Sequence, residues 1–275
     1  MNTKIEKIQQ CEINILEKII SICKDNNLVY YAGSGTVLGA VRHQGFIPWD
    51  DDIDIVMPRK DYNKFIDICL KMNLDNLFLQ TYETDKEYYQ HFAKMRDSDT
   101  TFIESKTKNL NINHGIFVDI FPLEEVHKLN IITKLRFKVA LFLTKMNLLF
   151  RNPGAKFDGW KLLCFNFLFK PFKNNVLVEL IEWLSNRDTN KKNNLYYFCL
   201  DDSVNDNMFF RKNVFSEGKT TSFGNIQIVI PMDSDYYLRC MYGDYMKLPP
   251  KEECTYTHSP IVFDDINGYK KYSNK

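Results

Sequence analysis

The run Tyr30–Met57, YYAGSGTVLGAVRHQGFIPWDDDIDIVM, constrains this chain more than any other stretch. An apolar strand, Leu28–Ala32, leads into it and ends at the small turn Gly33-Ser34-Gly35. A short helix is expected from Thr36 to about His43, after which Gly45 and Pro48 turn the chain. Four aspartates follow, at positions 50, 51, 52 and 54, and the last lie in a second apolar strand, Ile53–Met57. Acidic residues are poor strand formers, so carboxylates among Ile53, Ile55 and Val56 call for a reason.

Two pieces of chemistry suggest one. A small-residue turn between a strand and a helix exposes backbone N–H groups at the helix start, which suits an anion such as phosphate. Ser34 and Thr36 add hydroxyls there. Strand side chains alternate faces, so Asp52 and Asp54 project to the same side, and Asp50 shares their parity. Carboxylates crowded on one face repel unless a hard cation such as Mg²⁺ neutralises them. A phosphate cradle beside paired carboxylates is equipment for metal-assisted phosphoryl transfer. The plainer readings are an ordinary turn and a solvated acidic loop.

The segment Gly35–His43, followed by Gly45-Phe46-Ile47-Pro48-Trp49-Asp50-Asp51-Asp52-Ile53-Asp54-Ile55, resembles the signature of the LicD family, and the match continues through Arg59, Asp61 and Tyr62. These phosphotransferases decorate bacterial surface glycans and have fukutin-type proteins as distant relatives. Two further anchors are His114–Leu123 and Tyr237–Pro250; beyond the second, Cys254 stands where the family carries Arg, and His258 follows. The resemblance implies an α+β fold, a nucleotidyltransferase-like mixed sheet flanked by helices. It also implies transfer of a phospho-alcohol, phosphocholine first, from a CDP-activated donor such as CDP-choline to a sugar hydroxyl. CMP would be released, and the acceptor would be a glycan or lipid-linked glycan of lipopolysaccharide, teichoic acid or capsule.

On that reading Asp52 and Asp54 hold Mg²⁺, with Mn²⁺ as the substitute, and Asp50 is a further ligand or an orienting group. Asp119 is the third carboxylate, as ligand or as the base that takes the acceptor proton. Ser34, Gly35 and Thr36 hold phosphate at the helix start, and Arg42 clamps a phosphate charge. Two other readings stay open. One is nucleotidyl transfer from a nucleoside triphosphate with release of pyrophosphate; the other is a non-catalytic glycan-binding module.

Asp119 draws attention without the resemblance. It is the only charge in the apolar run Gly115–Leu123. A lone buried carboxylate is costly unless paired or metal-bound. If its strand lies beside Ile53–Met57, Asp119 joins Asp52 and Asp54; otherwise it is a structural residue bonded to backbone.

The rest of the chain supplies a frame. With 275 residues and 44% hydrophobic content it can bury a full core, and a net charge of +1 argues against nucleic-acid binding. Seven scattered cysteines without C-x-x-C read as reduced thiols, with neither a disulfide framework nor a zinc site. Lys4, Glu6, Lys7 and Glu12 interrupt any leader-like apolar run, so a cytoplasmic location is expected. Thr3–Lys24 reads as an amphipathic helix opened by the capping box Thr3-x-x-Glu6, a cover for the sheet. Asp61–Met72 is a second helix, and Leu77–Thr81, Tyr88–Arg96 and Thr100–Glu104 read as strands. Lys94 and Arg96 share a strand face, either reaching a phosphate or lying on a solvated edge.

Residues 128–173 differ in composition: ten Lys/Arg and one acid, Asp158, give +9 and leave −8 for the remainder. Ile131–Phe150 reads as a helix with Lys134, Lys138 and Lys145 on one face, and Trp160–Phe169 is almost wholly apolar. Neither is a convincing membrane span. They read as a helical subdomain packed on the core, or as a peripheral contact with the inner face of the cytoplasmic membrane. The expected organisation is a catalytic core over 1–127, a basic helical insertion over 128–190 facing membrane or acceptor, and a part over 191–275 that completes the catalytic domain.

Overall fold

The computed structural model describes residues 3–151, 175–188, 196–199, 208–255 and 258–272. The apolar run Trp160–Phe169 and the loop around Asp158 lie outside them.

Helix α1 (Lys4–Asp25) begins where the capping box places it. Thr3 N donates to Glu6 Oε2 at 2.7 Å, and Glu6 N donates to Thr3 Oγ1 at 3.3 Å. Its Ile8, Ile15, Leu16, Ile19 and Ile22 are buried against the sheet. The chain then forms β1 (Tyr31–Ala32), α2 (Ser34–His43), β2 (Asp54–Pro58) and α3 (Arg59–Cys69). Next come β3 (Leu77–Gln80), β4 (Ala93–Asp97), β5 (Thr101–Ile103) and the long β6 (Ile116–Val126).

The main sheet runs β1-β2-β6-β4-β3, with β7 (Tyr196–Cys199) on β6 and β8 (Phe210–Arg211) on β7. It is mixed: β2 and β6 are parallel, whereas β1–β2, β3–β4, β4–β6 and β6–β7 are antiparallel. The α+β expectation is met. Every residue of β6 is buried, as a central strand between covered faces requires. Arg59, the first residue of α3, is buried and pairs with Glu124 of β6 and with Glu182 at 2.8 Å.

Helices α4 (Ile131–Arg151) and α5 (Val176–Ser185) pack on each other, and Phe137, Ala140 and Ile181 form a small core with Val126, Phe198 and Phe209. A hairpin of β9 (Lys219–Phe223) and β10 (Ile226–Ile230), helix α6 (Ser234–Tyr242), and β11 (Val262–Asp264), which pairs with β5, complete the described chain. Among the described residues no helix is long and apolar enough to cross a membrane.

Two sequence expectations need correction. The strand expected over Tyr88–Arg96 starts only at Ala93, because Tyr88 and Tyr89 pack instead with Leu110 and Ile112. Lys94 and Arg96 are not on a solvated edge: β4 lies between β3 and β6, and both side chains are buried.

Candidate active site

The turn before α2 and the start of β2 are stitched together. Gly33 N donates to Asp54 O at 2.9 Å, and Asp54 N donates to Thr36 Oγ1 at 2.9 Å. The buried Thr36 hydroxyl therefore fixes the backbone of Asp54 while the first turn of α2 opens beside it. Ser34 N donates to the Tyr237 hydroxyl at 3.1 Å, and Ser34 has a φ of 36°, left-handed backbone that a non-glycine residue seldom adopts. Gly35 lets Asp50 approach the helix start closely: a Cβ there would stand 2.8 Å from Asp50 Oδ2.

The parallel pairing of β2 and β6 sets Asp54 opposite Asp119 in register, so carboxylates far apart in sequence meet on neighbouring strands. On the other side of β6, Lys94 stands opposite Asp119, and its Nζ donates to Asp119 Oδ1 at 2.5 Å. Burial opposes both charges, raising the Asp119 carboxyl and lowering the Lys94 ammonium, while their pairing pulls each the other way. Lys94 Nζ also sits 3.5 Å from the centre of the Phe117 ring.

A cavity of 470 Å³ gathers these groups. Ser34, Gly35, Thr36, Asp50, Asp52, Asp54 and Asp119 all line it, with Lys94 between the strands. Tyr88, Tyr89, Phe92 and Phe121 form an aromatic wall, and Leu141, Thr144 and Lys145 of α4 contribute another. Arg42 does not line it: its Nη1 donates to Tyr245 O at 2.7 Å and ties α2 to the turn after α6.

Three residues that sequence reasoning did not assign join the cluster, His258, Glu104 and Glu12. His258 bridges Glu104 and Asp52, with Nδ1 2.8 Å from Glu104 Oε1 and Nε2 3.2 Å from Asp52 Oδ2. Burial alone would discharge the imidazole, but the hydrogen bonds to both carboxylates outweigh it and push it up to about 10. It is therefore an imidazolium donating from both nitrogens. Burial likewise works to raise Asp52 and Glu104, yet His258 holds both below their ordinary values. The backbone N–H groups of His258 and Ser259 donate to Asp51 at 3.1 Å each, so Asp51 anchors this segment.

The third addition is Glu12 of α1, buried behind the aspartates. Burial first, then the charges of Asp52, Asp51, Asp50 and Asp119, raise its carboxyl well above the ordinary value. Gln9 on the same helix donates to Asp50 O at 2.9 Å. The helix taken from sequence as a cover thus also holds the backbone of Asp50.

The donor chemistry fits a hard divalent cation. Among the described residues, carboxylate oxygens of Asp50, Asp51 and Asp52 come within 4.8 Å of one another, with Asp51 held by the 258–259 backbone and Asp54 and Asp119 outside this trio but lining the same cavity as Asp50 and Asp52. Asp50 is pushed up to about 8, by burial and then by the charge of Asp52 beside it, which marks negative charge in excess of its compensation. An all-oxygen set of this kind suits Mg²⁺ or Mn²⁺ rather than a softer metal.

Comparison with known proteins agrees with this geometry. Residues 27–151 match a family model described as LicD/FKTN/FKRP, nucleotidyltransferase domain. A curated relative, the lipopolysaccharide cholinephosphotransferase LicD of Haemophilus influenzae, is 28% identical over 255 residues, 88% of this chain and 91% of that protein. An uncharacterized protein of Rickettsia prowazekii is 39% identical over 91 residues, 26% of this chain and 34% of its own. An uncharacterized protein of Rickettsia typhi is 61% identical over 36 residues, 13% of this chain and 12% of its own. The matched domain begins just before the Gly33–Gly35 turn, ends within α4, and so contains Asp50, Asp52, Asp54, Lys94 and Asp119. Residues 27–151 are thus similar to the nucleotidyltransferase domain of LicD/FKTN/FKRP proteins, and most of the chain is similar to a LicD protein.

Proposed function

We propose that the protein is a divalent-metal-dependent phosphotransferase. It moves a phospho-alcohol group, most simply phosphocholine, from a CDP-activated donor to a sugar hydroxyl of a cell-surface glycan and releases CMP. The observation that carries this reading is the meeting of Asp54 and Asp119 on parallel strands, in one cavity with Asp52 and the first turn of α2. The similarity to a relative named as a lipopolysaccharide cholinephosphotransferase supports the choice of substrates.

The residues divide the work. The first turn of α2, with Ser34, Gly35 and Thr36, receives donor phosphate oxygens. Asp50, Asp52, Asp54 and Asp119 are the residues that would hold Mg²⁺ or Mn²⁺, which would supply neutralisation of the phosphate charge. Asp119 is also positioned to accept the proton of the attacking sugar hydroxyl, and Lys94 at 2.5 Å steadies its charge. The imidazolium of His258 holds Asp52 ionised and oriented. The aromatic wall of Tyr88, Tyr89, Phe92 and Phe121 gives the alcohol or the sugar an apolar face. A nucleotide-activated donor places the reaction in the cytoplasm, with the acceptor at the inner face of the membrane and no role for nucleic acid.

The description of the matched domain as a nucleotidyltransferase favours one other reading, transfer from a nucleoside triphosphate. Phosphorus NMR separates the two. Purified protein with Mg²⁺, CDP-choline and a lipopolysaccharide acceptor should give CMP and a new phosphodiester resonance, both absent with Asp52→Ala. Silence with CDP-choline and the other CDP-alcohols, but pyrophosphate from a nucleoside triphosphate, would favour the alternative instead.

A further inference from the structure

Helix α4 has two apolar faces, and the core uses one. Phe137 and Ala140 are buried against Val126, Ile181, Phe198 and Phe209. On the opposite face Ile131, Ile132, Leu135, Val139 and Phe142 are exposed, Ile131 at 82% and Leu135 at 60%. At 3.6 residues per turn these five share one arc of about 100°. The neighbouring α5 adds Val176, Leu180 and Trp183, spaced for one helix face, with Trp183 56% exposed. A contiguous exposed apolar patch of this kind marks an interaction surface.

The charge beside it says what the surface meets. The α4 sequence carries five Lys/Arg and no acid. Lys134, Lys138 and Lys145 fall along one edge of the apolar stripe, and Lys138 and Lys145 are exposed. The same edge runs into the cavity, where Lys145, Thr144 and Leu141 form a wall. Apolar stripe, basic edge and cavity wall thus follow one another around a single helix. A second copy of the chain, meeting this face symmetrically, would set lysines against lysines. An anionic lipid bilayer offers the complementary charge and an apolar interior for the stripe. Exposed Glu179 on α5 sits at the margin, so the charge argument rests on α4.

We infer that α4 and α5 dock the protein on an anionic membrane. The apolar stripe lies in the interface, the lysine edge lies on headgroup phosphates, and the cavity mouth faces the bilayer surface. On the proposed phosphotransferase reading, this geometry presents the cavity to an acceptor carried on a lipid anchor.

Vesicle flotation tests it with neither donor nor acceptor. Wild-type protein should float with vesicles of phosphatidylcholine and phosphatidylglycerol, should float far less with phosphatidylcholine alone, and should be released by salt. Lys138→Gln should lower the affinity about fivefold, and Ile132→Ser/Leu135→Ser on the order of tenfold or more. Both sites are on the surface, so thermal melts should match the wild type. Equal flotation with both vesicle types, or variants that float as the wild type does, would overturn the inference. So would a concentration-dependent dimer in solution that Ile132→Ser/Leu135→Ser abolishes, which would assign the stripe to a second copy. The inference and the catalytic reading fail separately: Asp52→Asn should float normally, flotation without turnover would count only against the transferase reading, and turnover without flotation only against docking.

Discussion

Lys94 and Asp119 face each other across the antiparallel strands β4 and β6, buried, with their charged atoms 2.5 Å apart. The pair sits at the centre of the sheet, beside Asp54 and under the Phe117 ring. It binds the candidate base to the fold, so stability and catalysis are coupled here.

Removing one partner should therefore be costly. Lys94→Met leaves Asp119 buried without its counter-charge and should destabilise by about 3–5 kcal/mol, read from urea unfolding. Adding Asp119→Asn to that background should restore most of the loss, because no bare charge remains. Turnover should be lost in both variants. A single variant as stable as the wild type would show that the pair contributes nothing to the fold.

His258 predicts a pH dependence with a definite sign. Its folded value is raised to about 10 from an ordinary 6.5. The contact therefore contributes fully below about pH 6.5 and is lost as pH rises through about 10, because the unfolded chain gives up its proton first. In chelator-treated protein, wild-type stability should fall over that window relative to His258→Gln, whose profile should be flatter. Parallel profiles would remove the bridge between Glu104 and Asp52 from the account.

Gly35 predicts a separation between stability and metal affinity. The Cβ of Gly35→Ala would meet Asp50 Oδ2 at 2.8 Å, the far end of a side chain that can turn away. Unfolding free energy should change by less than about 1 kcal/mol, since neither the core nor the backbone is disturbed. Mg²⁺ affinity, measured by calorimetry, should fall several-fold because a ligand is displaced. Unchanged affinity would mean that Asp50 is not in the metal set.

What was legible in the sequence was what is local. The Gly33–Gly35 turn, the helix after it and the aspartates at and before the start of β2 are close in sequence; turn chemistry reads the first two, while strand parity reaches only Asp54, where β2 begins. The conditional placement of Asp119 beside Asp54 is realised because an all-apolar strand with one carboxylate belongs in the middle of a sheet. The His258 bridge was not legible, because it joins Asp52 across 206 positions and Glu104 across 154, and no periodicity carries such a contact. Glu12 hides for another reason. It stands on an amphipathic helix where an acid ordinarily faces water, and only the packed structure turns it toward the aspartates. Tyr88–Arg96 was read too long because aromatic β-formers at its start pack into the cavity wall rather than onto a ladder.

The account stands on the carboxylate cluster as a divalent-cation site. The most direct test is a Mn²⁺ titration followed by electron paramagnetic resonance, comparing wild type with Asp54→Ala. The wild type should take up Mn²⁺, Mg²⁺ should displace it, and Asp54→Ala should bind at least tenfold more weakly while remaining folded. Equal binding by the two proteins would contradict the assignment of Asp50, Asp52, Asp54 and Asp119 as the metal centre.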